Sequence, residues 1–198
     1  MSLSTVKAAL KLAEEMGEGI VLGGGEPTLH KQFWEILGLA LGNSSDEEFG
    51  VWMATNGTVT DTALRLANLA RRGVMGVCLS RTQWHKEQKI QPDPRVLKAF
   101  DGFRRSGGWG AELSNDLREV RSQAGSHGVP FAVGRAEEWG AEGCACDGLH
   151  VDPEGGLWEC GCKIASLGTV FKPEIPDEYL ERDEKCSRAA AKAESEAA

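Results

Sequence analysis

The stretch that decides the fold is Val21-Leu-Gly-Gly-Gly-Glu-Pro-Thr-Leu-His30, "VLGGGEPTLH". A short apolar run ends in three glycines, and an acid followed by a proline opens a helical segment. Proline suits the first turn of a helix because its missing N–H would find no partner there and its φ is already helical. Glycines carry no Cβ, so the backbone between strand and helix is open to a close approach. The stretch therefore reads as a strand–turn–helix unit with its turn at the carboxyl end of the strand, where parallel α/β sheets bind ligands. A phosphate loop is excluded, because the Lys-Ser/Thr that such loops need after the glycines is missing.

The same alternation runs outward in both directions. Upstream, Val6, Ala9, Leu10, Leu12, Ala13 and Met16 recur at helical spacing, and Gly17 and Gly19 end the helix. Downstream, the pattern predicts a helix from Leu29 to Leu41 and a second strand from Phe49 to Thr55. An Asn-Gly turn follows, with a helix capped by Thr60-Asp61 and running to Arg72, then a third strand from Val74 to Ser80. After a polar insertion, Asp93-Pro94 caps a helix to about Arg105. Trp109 to Ser114 reads as a fourth strand, Asn115 to Ser126 as a helix and Val129 to Arg135 as a fifth strand. Strands alternating with helices at roughly 25-residue spacing predict a parallel sheet built from right-handed crossovers. Its carboxyl edge would carry Gly23 to Pro27, Thr55 to Thr58, Ser80, Ser114 with Asn115, and Gly134 with Arg135.

The bulk composition sets limits on function. The chain has 198 residues, 41% hydrophobic and 26% charged, enough for one domain with a full core and a small appendage. No apolar run is long enough to span a bilayer, and the N-terminus alternates charged and apolar residues where a secretory leader would be uniformly apolar; a cytoplasmic location and no membrane partner are expected. The net charge of −8, with no compensating basic stripe, argues against duplex nucleic acid as a direct partner.

Four of the six cysteines form two C-x-C pairs, Cys144 with Cys146 and Cys160 with Cys162. Between them lies a hairpin sequence, "GLHVDPEGGLWEC", expected to turn at about Pro153 to Gly156 and to set residue 149 opposite residue 160. Both members of a C-x-C pair face one side of an extended chain, so the four thiolates can converge on tetrahedral zinc or an iron–sulfur cluster, with Cys186 as an extra ligand. Reduced cysteines packed beside a hairpin are the alternative. The expected organisation is a parallel βα unit at 1–136, a Cys-rich hairpin extension at 137–176 and a charged, Ala-rich tail at 177–198.

Taken together, five motifs in order resemble the radical S-adenosylmethionine (radical SAM) superfamily. They are "GGEP" and "TNGT" at the ends of successive strands, "LSRTQWHKEQ" at 79–88, "VGRAEE" at 133–138, and "CDGLHVDPEGGLWECGC" at 146–162, which is similar to the hairpin of members with a SPASM or twitch extension. The resemblance implies a partial parallel βα barrel that lacks its first strand. It implies that Gly24, Gly25 and Glu26 lie against the methionine part of S-adenosylmethionine, with Glu26 facing the amino group. Asn56 and Ser80 would lie near its ribose or carboxylate, and Arg135 would pair with the carboxylate. An auxiliary iron–sulfur site at Cys144, Cys146, Cys160 and Cys162 is favoured over zinc. The implied activity is reductive cleavage of S-adenosylmethionine to a 5′-deoxyadenosyl radical that abstracts hydrogen from a peptide or small-molecule substrate.

One feature of the family is missing. Its C-x-x-x-C-x-x-C loop holds the cluster that supplies the electron, and this sequence has no cysteine before Cys78. The chain is therefore expected not to generate a radical by itself. Either a missing N-terminal segment or a partner chain supplies the loop, or the protein is a non-catalytic metal-binding scaffold derived from this fold. A barrel without its first strand also exposes the edge of the next one.

Overall fold

A computed structural model of the chain describes residues 1–43, 50–80, 85, 88–100, 148–161, 163 and 165–181. The fold mixes helices with two sheets, one parallel and three-stranded, the other antiparallel and four-stranded. The chain divides into two compact units, Leu10–Val120 and a second made of Met1–Ala9 with Arg121–Ala198. No helix among the described residues is long and apolar enough to cross a membrane.

In the first unit the strands are β1 (Ile20–Leu22), β2 (Val51–Thr55) and β3 (Gly76–Leu79), in that order and all parallel. Helix α2 (Phe33–Asn43) connects β1 to β2, and α3 (Thr60–Arg71) connects β2 to β3. Along β2 burial alternates, so Val51, Met53 and Thr55 share one buried face. The register sets Met53 beside Val77 and Thr55 beside Leu79, which continues that face into β3. Helix α3 packs against β3 with Ala63, Leu66, Ala67 and Ala70, a stripe at helical spacing whose small residues permit close approach. Helix α4 (Pro94–Phe100) adds Val96 and Phe100 to the core. On the other face Trp52 lies against Gly76, where a Cβ would collide with the indole. Among the described residues the parallel sheet has three strands and does not close into a barrel. The fourth and fifth strands expected at 109–114 and 129–135 lie outside the described residues. Among the described residues β1 is at one edge of the sheet, with Val21 54% exposed.

Several sequence expectations need correction here. The helix expected over Leu29–Leu41 is a 3-10 turn at Pro27–Leu29 followed by α2 from Phe33. The break has a local cause: His30 donates its N–H to Pro27 O at 3.0 Å, and its Nδ1 accepts from Gln32 N–H at 3.1 Å, which uses the ring as a cap for the new helix. Thr60-Asp61 does not cap α3; Val59 occupies the N-cap with no side-chain bond, and Asp61 sits inside the first turn, where its charge suits the helix dipole. Asp93 does cap α4, its Oδ1 accepting from Arg95 N–H at 2.7 Å.

The second unit holds the first turns of helix α1 (Leu3–Met16) and the antiparallel sheet β4 (His150–Val151), β5 (Gly156–Trp158), β6 (Ser166–Thr169) and β7 (Lys172–Pro173). Helix α1 spans Leu3–Met16, and Ser2 Oγ accepts from Thr5 N–H at 3.1 Å as its cap. The sequence announced one hairpin, and the structure makes a four-stranded meander. The pairing His150 with Trp158 and Val151 with Leu157 places residue 149 opposite 159 where the sequence predicted 160. The cause is a three-residue loop, Pro153-Glu154-Gly155. Gly155 N–H donates to Asp152 O at 3.0 Å, and Gly155 takes φ 93°, a left-handed position that favours glycine.

Beyond β5 the chain reverses again to pair with β6. Lys163 N–H reaches Cys160 O at 3.1 Å, and Lys163 itself has φ 54°. The tail expected from residue 177 begins with a helix, α5 (Asp177–Glu181), held by the buried Tyr179, whose hydroxyl donates to Glu159 O at 3.3 Å.

Candidate functional site

Parallel strands β1, β2 and β3 bring the glycine turn, Asn56 and Ser80 to one carboxyl edge. Gly24 has φ 119°, open only to glycine, and a Cβ at Gly23, Gly24 or Gly25 would meet nothing within 4 Å. The turn is thus bare of side chains and uncovered by any described neighbour. Its downstream end is fixed by Glu26, an extended residue that caps the 3-10 turn.

The Glu26 carboxylate accepts four hydrogen bonds. Its Oε1 takes Thr28 N–H at 3.2 Å, the Thr28 hydroxyl at 2.6 Å and the Thr55 hydroxyl at 2.8 Å, while Oε2 takes Asn56 N–H at 2.6 Å. Each carboxylate oxygen offers about two lone-pair positions, and three of these bonds fall on Oε1 and one on Oε2. The turn after β1 is in this way fastened to the loop after β2. In that loop Asn56 Oδ1 accepts from Thr58 N–H at 2.9 Å and from the Thr58 hydroxyl at 2.7 Å, which leaves its Nδ2 as a donor at the edge. Gly57 follows with φ 74°, where a Cβ would sit 2.7 Å from Leu79 Cδ1, 3.0 Å from Pro92 Cβ and 3.1 Å from Val96 Cγ1. Ser80 continues the ladder by donating its N–H to Thr55 O at 2.7 Å.

The structure therefore brings Gly24, Gly25, Glu26, Asn56 and Ser80 together. Arg135 lies outside the described residues. The sequence placed Thr55 on the carboxyl edge without a partner and did not single out Thr28; together they supply three of Glu26's four bonds when the backbone of Thr28 is counted. Thr55 carried a signal, since a hydroxyl at a position of strand alternation otherwise filled by Val51 and Met53 demands a partner inside the fold.

Of the four expected metal ligands, Cys160 is described and fully buried, and Cys144, Cys146 and Cys162 lie outside the described residues. Among the described residues no group of three or more His, Cys, Asp or Glu is placed to hold a metal ion. The hairpin before Cys160 is organised around Asp152, which is 7% exposed. Its Oδ1 accepts from Glu154 N–H at 3.1 Å and Gly156 N–H at 2.8 Å. Its Oδ2 accepts from Trp158 Nε1 at 3.0 Å and Lys163 Nζ at 3.1 Å. Burial pushes the carboxyl up, but the Trp158, Gly156 and Lys163 bonds with the Lys163 charge outweigh it and hold the pKa at about 2. The Lys163 ammonium also lies 5.6 Å from the Trp158 ring centroid, within cation–π range. Burial, then the Lys163 charge, lowers the pKa of the half-buried His150, against the pull of Asp152.

Compared with known proteins, the chain matches no family model, no curated protein and no solved structure.

Proposed function

We propose that this chain is a radical SAM-type protein whose carboxyl edge, at the ends of β1, β2 and β3, receives the methionine end of S-adenosylmethionine. The observation that carries the reading is the convergence there of a bare glycine turn, the Asn56 amide and Ser80. An uncovered turn admits a ligand against main-chain atoms, and such atoms suit the polar amino and carboxylate ends of an amino acid. Glu26 contributes negative potential beside an ammonium group, with Oε2 accepting one bond from the protein and Oε1 three, and its bonds hold the turn in shape. Asn56 Nδ2 and the Ser80 hydroxyl supply donors for a carboxylate or ribose oxygen. Arg135 is the proposed bidentate partner of the carboxylate.

Within this reading the three-stranded parallel sheet is part of a partial βα barrel, and Cys144, Cys146, Cys160 and Cys162 are ligands of an auxiliary iron–sulfur cluster or of zinc. When bound, the family's cluster supplies the electron that cleaves S-adenosylmethionine. These 198 residues contain no C-x-x-x-C-x-x-C loop, so a further segment or a partner chain has to provide it. That same absence favours a second reading, a non-catalytic metal-binding scaffold that keeps the fold.

Equilibrium binding of S-adenosylmethionine to the purified chain, with metal analysis after anaerobic reconstitution with iron and sulfide, separates these readings. Binding weakened by Asn56→Ala supports the first; metal uptake without any S-adenosylmethionine binding supports the second. Deoxyadenosine formation by the chain alone would contradict the second reading and the requirement for a further segment or partner chain.

A further inference from the structure

We infer that Thr55 is a positioning residue of the carboxyl edge: its one hydroxyl locks the glycine turn after β1 and the Asn56–Thr58 loop after β2 into a single receptor. This inference rests on the proposal that the edge receives S-adenosylmethionine. Thr55 ends β2 and is 1% exposed, on the face shared with Val51 and Met53, so its side chain lies away from solvent. A hydroxyl buried at such a place is unfavourable unless it is bonded. Here it is bonded in both capacities, donating to Glu26 Oε1 at 2.8 Å and accepting from Gly57 N–H at 3.1 Å. Its backbone carbonyl takes Ser80 N–H at 2.7 Å.

One residue thus touches all three segments that form the edge. Its hydroxyl fixes which way the Glu26 carboxylate turns, and the other carboxylate oxygen then meets Asn56 N–H. The same hydroxyl holds Gly57 N–H, and with it the loop from which Asn56 extends. Valine has nearly the same shape but neither donates nor accepts, so Thr55→Val removes the relay without opening a cavity. The Glu26 oxygen and the Gly57 amide are then left without this partner. Serine keeps the hydroxyl and loses only a methyl group, so Thr55→Ser preserves the relay.

Two measurements on the full chain test this. Amide hydrogen exchange in the absence of ligand reads the lock itself, and exchange at Gly57 is expected to quicken about tenfold in Thr55→Val, since one hydrogen bond contributes about a factor of ten. Equilibrium binding of S-adenosylmethionine reads the consequence, an affinity about tenfold weaker in Thr55→Val, with both readouts returned toward wild type in Thr55→Ser. Unchanged exchange at Gly57 in Thr55→Val overturns the lock. Wild-type binding that survives Thr55→Val at full strength overturns the positioning role, as does failure of Thr55→Ser to restore binding. If the wild-type chain binds no S-adenosylmethionine, the functional reading fails, and the positioning role falls with it even where the exchange data show the lock.

Discussion

Glu26 and Asp152 each accept four hydrogen bonds, but they collect their donors from very different stretches of chain. Asp152 uses residues 154, 156, 158 and 163, all within one hairpin and the turn after it. Glu26 uses Thr28 nearby and then Thr55 and Asn56, which lie 29 and 30 residues away across a complete βα crossover. The hairpin clamp closes a short loop and depends on little beyond its own turn. The edge clamp exists only if β1 and β2 are paired in register, with α2 folded back between them. A site held by a local clamp survives changes elsewhere; a site held across strands inherits every error in the packing beneath it.

The sharpest way to break the edge clamp is accordingly from below. Gly57→Ala places a methyl group against Leu79, Pro92 and Val96 and a side chain at φ 74°. The combined overpacking and left-handed strain should destabilise the unit by about 2–4 kcal/mol, read as a lower urea midpoint. A midpoint equal to wild type would show that the loop does not pack against Leu79 as described.

The hairpin clamp should respond next, and with a pH signature of its own. Asp152→Ala leaves the Trp158 Nε1, two amides and the Lys163 ammonium without their acceptor, for an expected loss of about 2–3 kcal/mol. Because the folded carboxyl titrates at about 2, below its ordinary 3.8, its contribution is present above the unfolded value and is lost as pH falls from about 4 toward 2. The shift corresponds to at most about 2 kcal/mol. Acid unfolding monitored by Trp fluorescence should therefore lose this component in Asp152→Ala, and an unchanged acid limb would contradict the clamp. His150, its pKa lowered, adds in the same direction as it is forced to charge below its ordinary 6.5.

The smallest effect provides the baseline for both. Lys11 and Glu15 form an i, i+4 ion pair at 3.1 Å on α1, but the two side chains are 76% and 57% exposed. Lys11→Ala should change stability by no more than about 0.5 kcal/mol. A larger change would mean that Lys11 is engaged in the folded protein beyond this exposed pair.

Much of the fold was readable along the chain. The strand–helix alternation that produced β1, β2, β3 and α3 rests on periodicity, which a residue's own neighbours determine. The glycine turn and the Asn-Gly loop announced themselves by composition, and both reached the same edge, because parallel strands joined by right-handed crossovers leave no other place for them. Less legible were features set by competition between local options. The helix after Pro27 broke at His30 because an imidazole captured the Gln32 amide. The hairpin register moved by one residue because the Asp152–Gly156 turn closed over three residues where a longer turn had been expected. Strands β6 and β7 are two to four residues long, too short for periodicity to mark them.

By itself, the sequence determined the alternating βα order, the turn at Gly23–Gly25, the capping of α4 by Asp93 and the existence of a hairpin around Asp152 with Pro153. Each is a choice made within a few residues by backbone sterics and local hydrogen bonding. Only the tertiary structure decided what Glu26 does. From the sequence it reads as an acid at the carboxyl edge of the sheet; the fold adds that its carboxylate accepts from Thr28, Thr55 and Asn56. The reason is that a hydrogen bond spanning 30 residues is specified by strand register and side-chain face, which no local pattern contains.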